Sequence, residues 1–360
     1  MAAYGGTGSV SGATSYGDLS KNDAFTIQKK MLPIAKRLLT FAKFAQKETK
    51  PQKQGLEIRH RRYERFPVVD TPIAEGVTPD FSSLEHTTLM HTLKQYGSYV
   101  NTTDVQMAAA ADPVLKIISE RQATQAGETI DFLSYKVFRA GTQVKYVGTS
   151  ATARSDVDFT IGGVAPTVSS PSTGTQTLAA LQTAIRALEN NDAGKLKSKL
   201  KASVGVATEP IRESYVAICH PDLRQDIQQL PGFVSVENYS DQGDAIEGEI
   251  GGVEGVRFIT TTQATPFKDA GDTNGAGAGA VSTGGANNDV YPVLIIGEDA
   301  IGCATLGGMD SLRSKVVMPK PGPGDPLGQR GTVAWDTFYS CIILQDLNMY
   351  RLEVACTRLA

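Results

Sequence analysis

The feature that most constrains the fold is a long helical pattern between Asp112 and Gly141. Asp112 is a good N-cap, Pro113 suits a first helical turn, and Gly141 is typical of a left-handed helix stop. Apolar residues recur between them at helical spacing: Val114, Leu115, Ile118, Ala126, Ile130, Leu133 and Val137. One continuous helix would be about 43 Å long, which favours a strut across an elongated subunit. Gly127 costs about 1 kcal/mol relative to alanine, so two shorter helices are the alternative.

The length and composition indicate a folded protein of mixed α and β structure. The 360 residues suffice for two domains or one elongated subunit, and the 41% hydrophobic and 20% charged contents are ordinary. The 36 glycines and 17 prolines predict many turns and loops. Because no apolar run reaches about 20 residues and the first 20 residues lack a basic start and an apolar centre, we expect neither a membrane span nor a secretion signal.

The cysteine pattern bears on the compartment. Cys219, Cys303, Cys341 and Cys356 are scattered, form no CxxC pair and sit mostly among apolar residues. This pattern predicts buried, reduced thiols rather than disulfides or metal ligands, and therefore a reducing cytoplasm.

The charge is divided unevenly along the chain. Residues 1–65 carry a net charge of +8, whereas the remainder carries −11. Residues 1–20 are expected to be flexible, and a basic amphipathic helix is predicted to follow from about residue 22. Its charged residues include Lys29, Lys36, Arg37 and Lys43. A basic arm on an acidic body suggests a polyanion partner or docking onto a neighbouring copy, with a membrane surface or a merely solvated helix as alternatives.

A long β-hairpin is predicted after this arm. Residues 56–66 alternate between apolar and charged side chains, residues 87–100 form a second strand-like run, and the sequence between them is rich in proline. The first strand holds the densest basic cluster, which consists of Arg59, Arg61, Arg62 and Arg65. We expect these arginines to pair with carboxylates of a neighbouring copy, and a solvated face or stacking on bases are the alternatives. Since an isolated hairpin is marginal in water, this one needs an external surface.

The remaining chain reads as an α/β body with many loops. We predict strands at 142–148, 215–219, within 247–260, and at 290–296, 341–344 and 349–355, helices at 176–190 and 223–230, and an exposed mobile loop at 269–288.

No catalytic, cofactor-binding or metal-ligating residue is predicted, so the chain is not expected to be an enzyme. The glycine-rich tract at 271–285 lacks the preceding strand, following helix and Lys-Ser/Thr pair of a phosphate-binding loop. His220 with Asp222 and Asp226 is read as the start of a helix rather than a metal or acid–base site, because no second histidine lies near it in sequence.

Several short strings, in this order, carry a resemblance to a known family. They are AEGVTPD (74–80), QYG (95–97), AGT (140–142), YVAICHPD (215–222), GEIG (248–251) and DPLGQRG (325–331). Together with the basic arm, hairpin and long helix, they resemble the major capsid proteins of tailed double-stranded-DNA bacteriophages with the HK97 fold, in a podophage-type branch. The similarity covers about residues 50–360.

The resemblance implies an α+β fold in five parts. These are an N-terminal arm (1–52), an extended β-hairpin loop (53–104), a peripheral domain with the long spine helix (105–150), an axial domain (151–310) and the C-terminal strands of the peripheral domain (311–360).

The resemblance also implies a function and a set of partners. The chain would assemble as hexamers and pentamers into an icosahedral shell around packaged double-stranded DNA, in the virion capsid, after assembly in the host cytoplasm. Scaffolding, portal and decoration proteins would be further partners, and no membrane or cofactor is implied. An encapsulin-like nanocompartment is the main alternative, and a soluble enzyme or binding module is a lesser one.

Overall fold

The computed structural model describes residues 39–66, 68–70, 72, 75–76, 78, 81–105, 114–148, 151–157, 173–196, 213–238, 246–273, 280–307, 312–317, 321 and 326–358. The candidate basic residues Lys29, Lys36 and Arg37 lie outside these ranges, as do the predicted helix start at Asp112 and Pro113.

The described helices and strands alternate irregularly along the chain. The helices are α1 (Phe41–Phe44), α2 (Val114–Phe138), α3 (Thr173–Asn190) and α4 (Arg224–Gln228). The strands are β1 (Gln46–Lys50), β2 (Glu57–Tyr63), β3 (His86–Thr92), β4 (Lys94–Thr103), β5 (Val144–Tyr146), β6 (Tyr215–Cys219), β7 (Val234–Ser235), β8 (Glu249–Val253), β9 (Val256–Thr260), β10 (Val290–Ile296), β11 (Ile301–Leu306), β12 (Arg313–Val317), β13 (Arg330–Ile343) and β14 (Met349–Ala355).

The long helix is confirmed as one element, because α2 continues through Gly127 without a break. Its buried face is more polar than the apolar pattern predicts. Ser119, Gln122, Asp131 and Ser134 are buried there beside Ala123, Ala126, Ile130, Tyr135 and Phe138. The prediction that Gly141 adopts a left-handed stop is wrong, since its φ is not positive. A Cβ at this position would lie 2.8 Å from Cε of Met349, so the methionine side chain packs closely over Gly141.

A seven-stranded sheet forms the centre of one part of the subunit, in the order β5-β14-β10-β6-β9-β8-β7. Its central strands β6 and β10 are buried along their whole length, as expected for a sheet covered on both faces. Tyr215 and Ala217 face a core that includes Leu188 of α3, whereas Val216 and Ile218 face the core of α2. This alternation packs the sheet between the two helices.

A five-stranded sheet is built around the 14-residue strand β13. Strand β4 pairs with residues 330–339 of β13, while β12 and β11 pair with 332–336 and 339–343 along its other edge. Parallel strand β1 extends the sheet beyond β11. Helix α2 lies on this sheet, where Gln122 Nε2 donates to the Val333 carbonyl at 2.6 Å and the Ser134 and Tyr339 hydroxyls are 2.6 Å apart.

The predicted two-stranded arm is confirmed as the antiparallel pair β2–β3. The single strand predicted at 87–100 is two strands, because the chain leaves β3 at the buried Leu93 and enters the five-stranded sheet as β4.

Three further expectations are corrected by the fold. The basic helix predicted from about residue 22 does not extend to Lys47, which lies in β1, because α1 ends at Phe44. The strand predicted at 341–344 begins at Arg330. The loop predicted to be exposed over 269–288 is held to the body at both described ends, where Gly271, Ala280 and Asn288 are buried.

The two large sheets do not divide at residues 150 and 310. Strand β11, N-terminal to 310, pairs with β13, whereas β5 and β14 belong to the seven-stranded sheet. Each sheet is therefore assembled from distant parts of the chain.

Candidate assembly surface

The hairpin β2–β3 is anchored to the body at its base. Ile58 and Leu93 are buried against Ala304 of β11, and His91 Nδ1 lies 2.8 Å from the Ser340 hydroxyl of β13. Beyond this base most side chains of both strands are exposed. The anchor is small, so the outer part of the hairpin gains little stability from its own subunit.

The described residues between 64 and 85, at the end of the hairpin, expose large apolar side chains. Val68 is 92% exposed and Phe81 is 94% exposed, and Phe66, Val69 and Leu84 are also more than half exposed. Isolated exposed apolar residues are common, but five on one projecting loop are typical of an interaction site. We call the described residues between 64 and 85 the hairpin tip.

The four predicted arginines lie along β2 and the start of the tip, and the structure brings only some of them onto the body. Arg62 donates to the Leu344 carbonyl at 3.4 Å and to the Gln345 side chain, and Arg65 pairs with Asp192. Arg59 pairs with Glu57 of its own strand at 3.5 Å. Arg61 is exposed on the same strand.

A groove of about 900 Å³ separates the hairpin from the body. Arg61, Arg62 and Arg65 line one side of it, and Asp192 and Gln345 lie on the other. Because the Arg65–Asp192 pair is mostly exposed, it contributes only about 0–1 kcal/mol. The hairpin is thus bridged to the body by a few weak polar contacts across a wide gap.

The N-terminal segment is fixed to the body by a buried carboxylate that the sequence did not single out. Asp131 Oδ1 accepts hydrogen bonds from the backbone N–H groups of Thr40 and Phe41, each at 2.8 Å. Phe41 is buried between Tyr135 and Phe138 of α2. Burial raises the pKa of Asp131 to about 6, against the opposing effect of the N–H groups of Phe41, Thr40 and Ala42 and the charge of Lys43.

Lys43, the one described member of the predicted basic set, pairs with Glu247 of its own chain at 3.0 Å. Its side chain remains about one-third exposed. After it, β1 runs parallel to β11, so the arm enters the body through the five-stranded sheet.

A buried ion cluster fixes the end of the seven-stranded sheet. Glu353 of β14 is fully buried, and its carboxylate accepts hydrogen bonds from Arg154 Nε at 2.6 Å and Arg154 Nη2 at 2.8 Å. Its Oε1 also lies 2.9 Å from Arg351 Nε. The guanidinium of Arg154 also lies 3.4 Å from the centroid of the Phe267 ring. This cluster is structural, because its charges are paired with each other.

The residues after His220 begin a helical turn, as predicted, and His220 itself caps it. Its Nδ1 accepts from the Asp222 backbone N–H at 3.3 Å, and the Asp222 carboxylate accepts from the Tyr291 hydroxyl at 2.8 Å. Across the part of the chain that is described, no three His, Cys, Asp or Glu side chains group as metal ligands. Within the same ranges, no helix is both long and apolar enough to cross a bilayer.

The long helix beneath two sheets, with a projecting hairpin, defines the class of fold as that of phage capsids. The chain is similar to the capsid of Ralstonia phage GP4, with 12% identity, 88% of each chain covered and a TM-score of 0.61. It is also similar to the capsid of cyanophage P-SCSP1u, with 16% identity, 89% of each chain covered and a TM-score of 0.56. The expected α+β, HK97-like fold is confirmed.

The family follows from the sequence. A protein-family model described as "Phage capsid protein" matches residues 86–342, and the chain therefore belongs to this family. It is 23% identical over 267 residues to the major capsid protein of Pseudomonas phage KPP21, covering 70% of this chain. The chain spans 63% of the length of that relative.

Proposed function

We propose that this chain is a major capsid protein that self-assembles as hexamers and pentamers into an icosahedral shell enclosing phage double-stranded DNA. The observation that carries the proposal is the weakly anchored hairpin, whose apolar tip is exposed in a member of the phage capsid family. Burial of the five tip side chains against a neighbour would favour association by about 1.5–3 kcal/mol for each side chain fully removed from water.

We assign the parts of the subunit as the resemblance implies. Residues 1–52 form the arm, 53–104 the extended loop, 105–150 and 311–360 the peripheral domain, and 151–310 the axial domain. The packing of α2 on the five-stranded sheet supports a peripheral unit, and the sheet beside α3 supports an axial one. Strands β11 and β14 pair across the boundary between the assigned axial and peripheral parts.

In the assembled shell, we propose that Arg59, Arg61, Arg62 and Arg65 pair with carboxylates of a neighbouring subunit. Two of them contact their own body in the single chain, but these exposed contacts are weak enough to be exchanged. The guanidinium fork suits such pairing because it donates to both oxygens of a carboxylate.

We propose that the basic arm with Lys29, Lys36, Arg37 and Lys43 contacts packaged DNA or a neighbouring subunit. Contacts to DNA would involve phosphates and carry no sequence specificity, since lysine and arginine charges neutralise any backbone alike. The other proposed partners are scaffolding, portal and decoration proteins, and no membrane is involved. The role is structural rather than enzymatic, in the virion capsid after assembly in the host cytoplasm.

The test replaces the apolar tip and images the particles. The double variant Val68→Ser and Phe81→Ser is expected to fold but to form no closed shells in negative-stain electron microscopy. Because both side chains are almost fully exposed, the substitutions should leave the stability of the subunit nearly unchanged. Leu327→Ser is the matched control, since Leu327 is also exposed but lies outside the hairpin. Normal shells from the double variant would exclude the assembly role of the tip.

A second measurement separates a virion shell from a nanocompartment. Purified wild-type particles from infected cells should retain double-stranded DNA after nuclease treatment, whereas particles holding only protein would favour the nanocompartment.

Arm deletions should stop at residue 38, because Phe41 and β1 belong to the folded body. A deletion of residues 1–38 is expected to leave a folded subunit that assembles poorly.

A further inference from the structure

Two of the four cysteines face each other across neighbouring strands. Cys303 of β11 and Cys341 of β13 are directly paired in the antiparallel register. Their sulfur atoms lie 2.8 Å apart, and both thiols are reduced in this structure. Such an approach is closer than ordinary non-bonded packing of carbon-sized atoms, which is about 3.5–4 Å.

The backbone geometry allows a covalent bond with little movement. Directly opposite residues of an antiparallel pair have Cα atoms about 4.5–5.5 Å apart, inside the range of about 4.4–6.8 Å found for disulfides. A bond length of about 2.05 Å would require each sulfur to move by only about 0.4 Å. The strands hold the thiols in place before any reaction.

The surroundings differ between the two thiols. Cys303 is buried and accepts a hydrogen bond from the Tyr339 hydroxyl at 2.9 Å, whereas Cys341 is only partly buried. The contacts from Cys341 and Tyr339 lower the pKa of Cys303, whereas the neighbouring Cys303 sulfur, together with burial, raises the pKa of Cys341. Cys303 is therefore the better nucleophile, and the partly exposed Cys341 lies next to it.

The other two cysteines provide an internal contrast. Cys219 and Cys356 are buried, and their thiols lie near backbone carbonyls at 3.6 and 3.5 Å. Burial raises the pKa of Cys219 to about 12, which disfavours its thiolate. Neither has the paired arrangement of Cys303 and Cys341.

We propose that Cys303 and Cys341 are an oxidation site that a peroxide converts into a cross-strand disulfide. The Cys303 thiolate attacks one peroxide oxygen, the O–O bond breaks, and a sulfenic acid on Cys303 and a hydroxide form. The Cys341 sulfur then attacks the Cys303 sulfur, the S–O bond breaks, and a second hydroxide leaves. The two thiol protons convert both hydroxides into water, so two thiols are oxidised while one peroxide is reduced.

The bond would join the anchors of the two projecting parts of the subunit. Strand β11 pairs with β1, which follows the N-terminal segment, and β13 pairs with β4, which follows the hairpin. With the disulfide closed, β11 cannot separate from β13 when either projection is pulled. The linkage acts within one chain and does not depend on the shell.

The test treats the purified full-length protein with hydrogen peroxide and counts thiols after denaturation. We expect free thiols to fall from four to two per chain, with an intact mass lower by about 2 Da and a tryptic peptide containing both Cys303 and Cys341. The oxidised protein should melt at a higher temperature than the same sample after reduction with dithiothreitol.

Two variants control the result. Cys341→Ser should lose the mass decrease and the melting shift, while Cys219→Ser should keep both, because it leaves the pair intact. The peptide map of the wild-type protein requires no variant and remains decisive if a substitution impairs folding. Four free thiols after peroxide, or a disulfide that joins any other pair, would overturn the proposal.

Discussion

The buried carboxylate of Asp131 should make the attachment of the N-terminal segment dependent on pH. Asp131 is fully buried, and its Oδ2 makes no hydrogen bond within the described residues. Its pKa is raised from 3.8 to about 6 in the folded chain, so the protonated form is favoured by folding. The corresponding stability is present below pH 3.8 and is lost as the pH rises through 6.

The magnitude follows from the size of the shift. About two pKa units correspond to about 3 kcal/mol, of which about 2 kcal/mol is lost between pH 4.5 and 7.5. Replacement by asparagine keeps an oxygen at the position of Oδ1 and removes the titration. Any change in the free energy of unfolding that the asparagine side chain causes independently of pH cancels when the difference between variant and wild type is compared at two pH values.

The assay is urea unfolding of unassembled wild-type and Asp131→Asn subunits at several pH values. We expect the free energy of unfolding of the variant, relative to wild type, to increase by about 2 kcal/mol from pH 4.5 to 7.5. Glu120→Gln is the control, since Glu120 is an exposed carboxylate on the same helix. A difference between Asp131→Asn and wild type that stays constant with pH would refute the reasoning.

Two further substitutions test the packing of the body. Glu353→Ala leaves Arg154 and Arg351 without their shared buried carboxylate. It should therefore lower the free energy of unfolding, measured by urea titration, by about 3–5 kcal/mol. A loss below about 1 kcal/mol would contradict the buried ion cluster. Gly97→Ala should lower the free energy of unfolding by about 1–3 kcal/mol, because the added Cβ would lie 2.6 Å from the Trp335 carbonyl oxygen. An unchanged melting temperature would show that β4 is not held against β13 as described.

The sequence predicts the elements whose signal is local. The helices near 114–138 and 173–190 and the buried strands 215–219 and 290–296 follow from periodicity and apolar content alone. The hairpin was also predicted, since alternation on each side of a proline-rich stretch is a short-range pattern.

The parts that sequence reasoning missed depend on partners far along the chain. Three buried polar residues of α2 look solvent-facing in the sequence. Their partners are distant in the chain: Val333 for Gln122, the backbone N–H groups of Thr40 and Phe41 for Asp131, and Tyr339 for Ser134. The sequence does show that these polar residues recur on the same helical face as the small residues between 123 and 130, and this pattern could have predicted their burial.

Strand β13 was recognised only at its C-terminal end for a similar reason. Its residues 330–340 mix Thr, Asp and Ser with apolar positions, and their role is decided by β4 on one edge and β12 and β11 on the other. The contact role of the four hairpin arginines likewise remains a prediction, because it involves a second copy of the chain.

The seven-stranded sheet ends in very short strands, and this suits a molecule that meets many copies of itself. Its outermost members are β5, with three residues, and β7, with two. A longer free edge would offer unpaired N–H and C=O groups to any nearby copy and promote open-ended stacking. With both faces covered by helices and both outermost strands this short, the seven-stranded sheet offers little free edge for open-ended strand pairing.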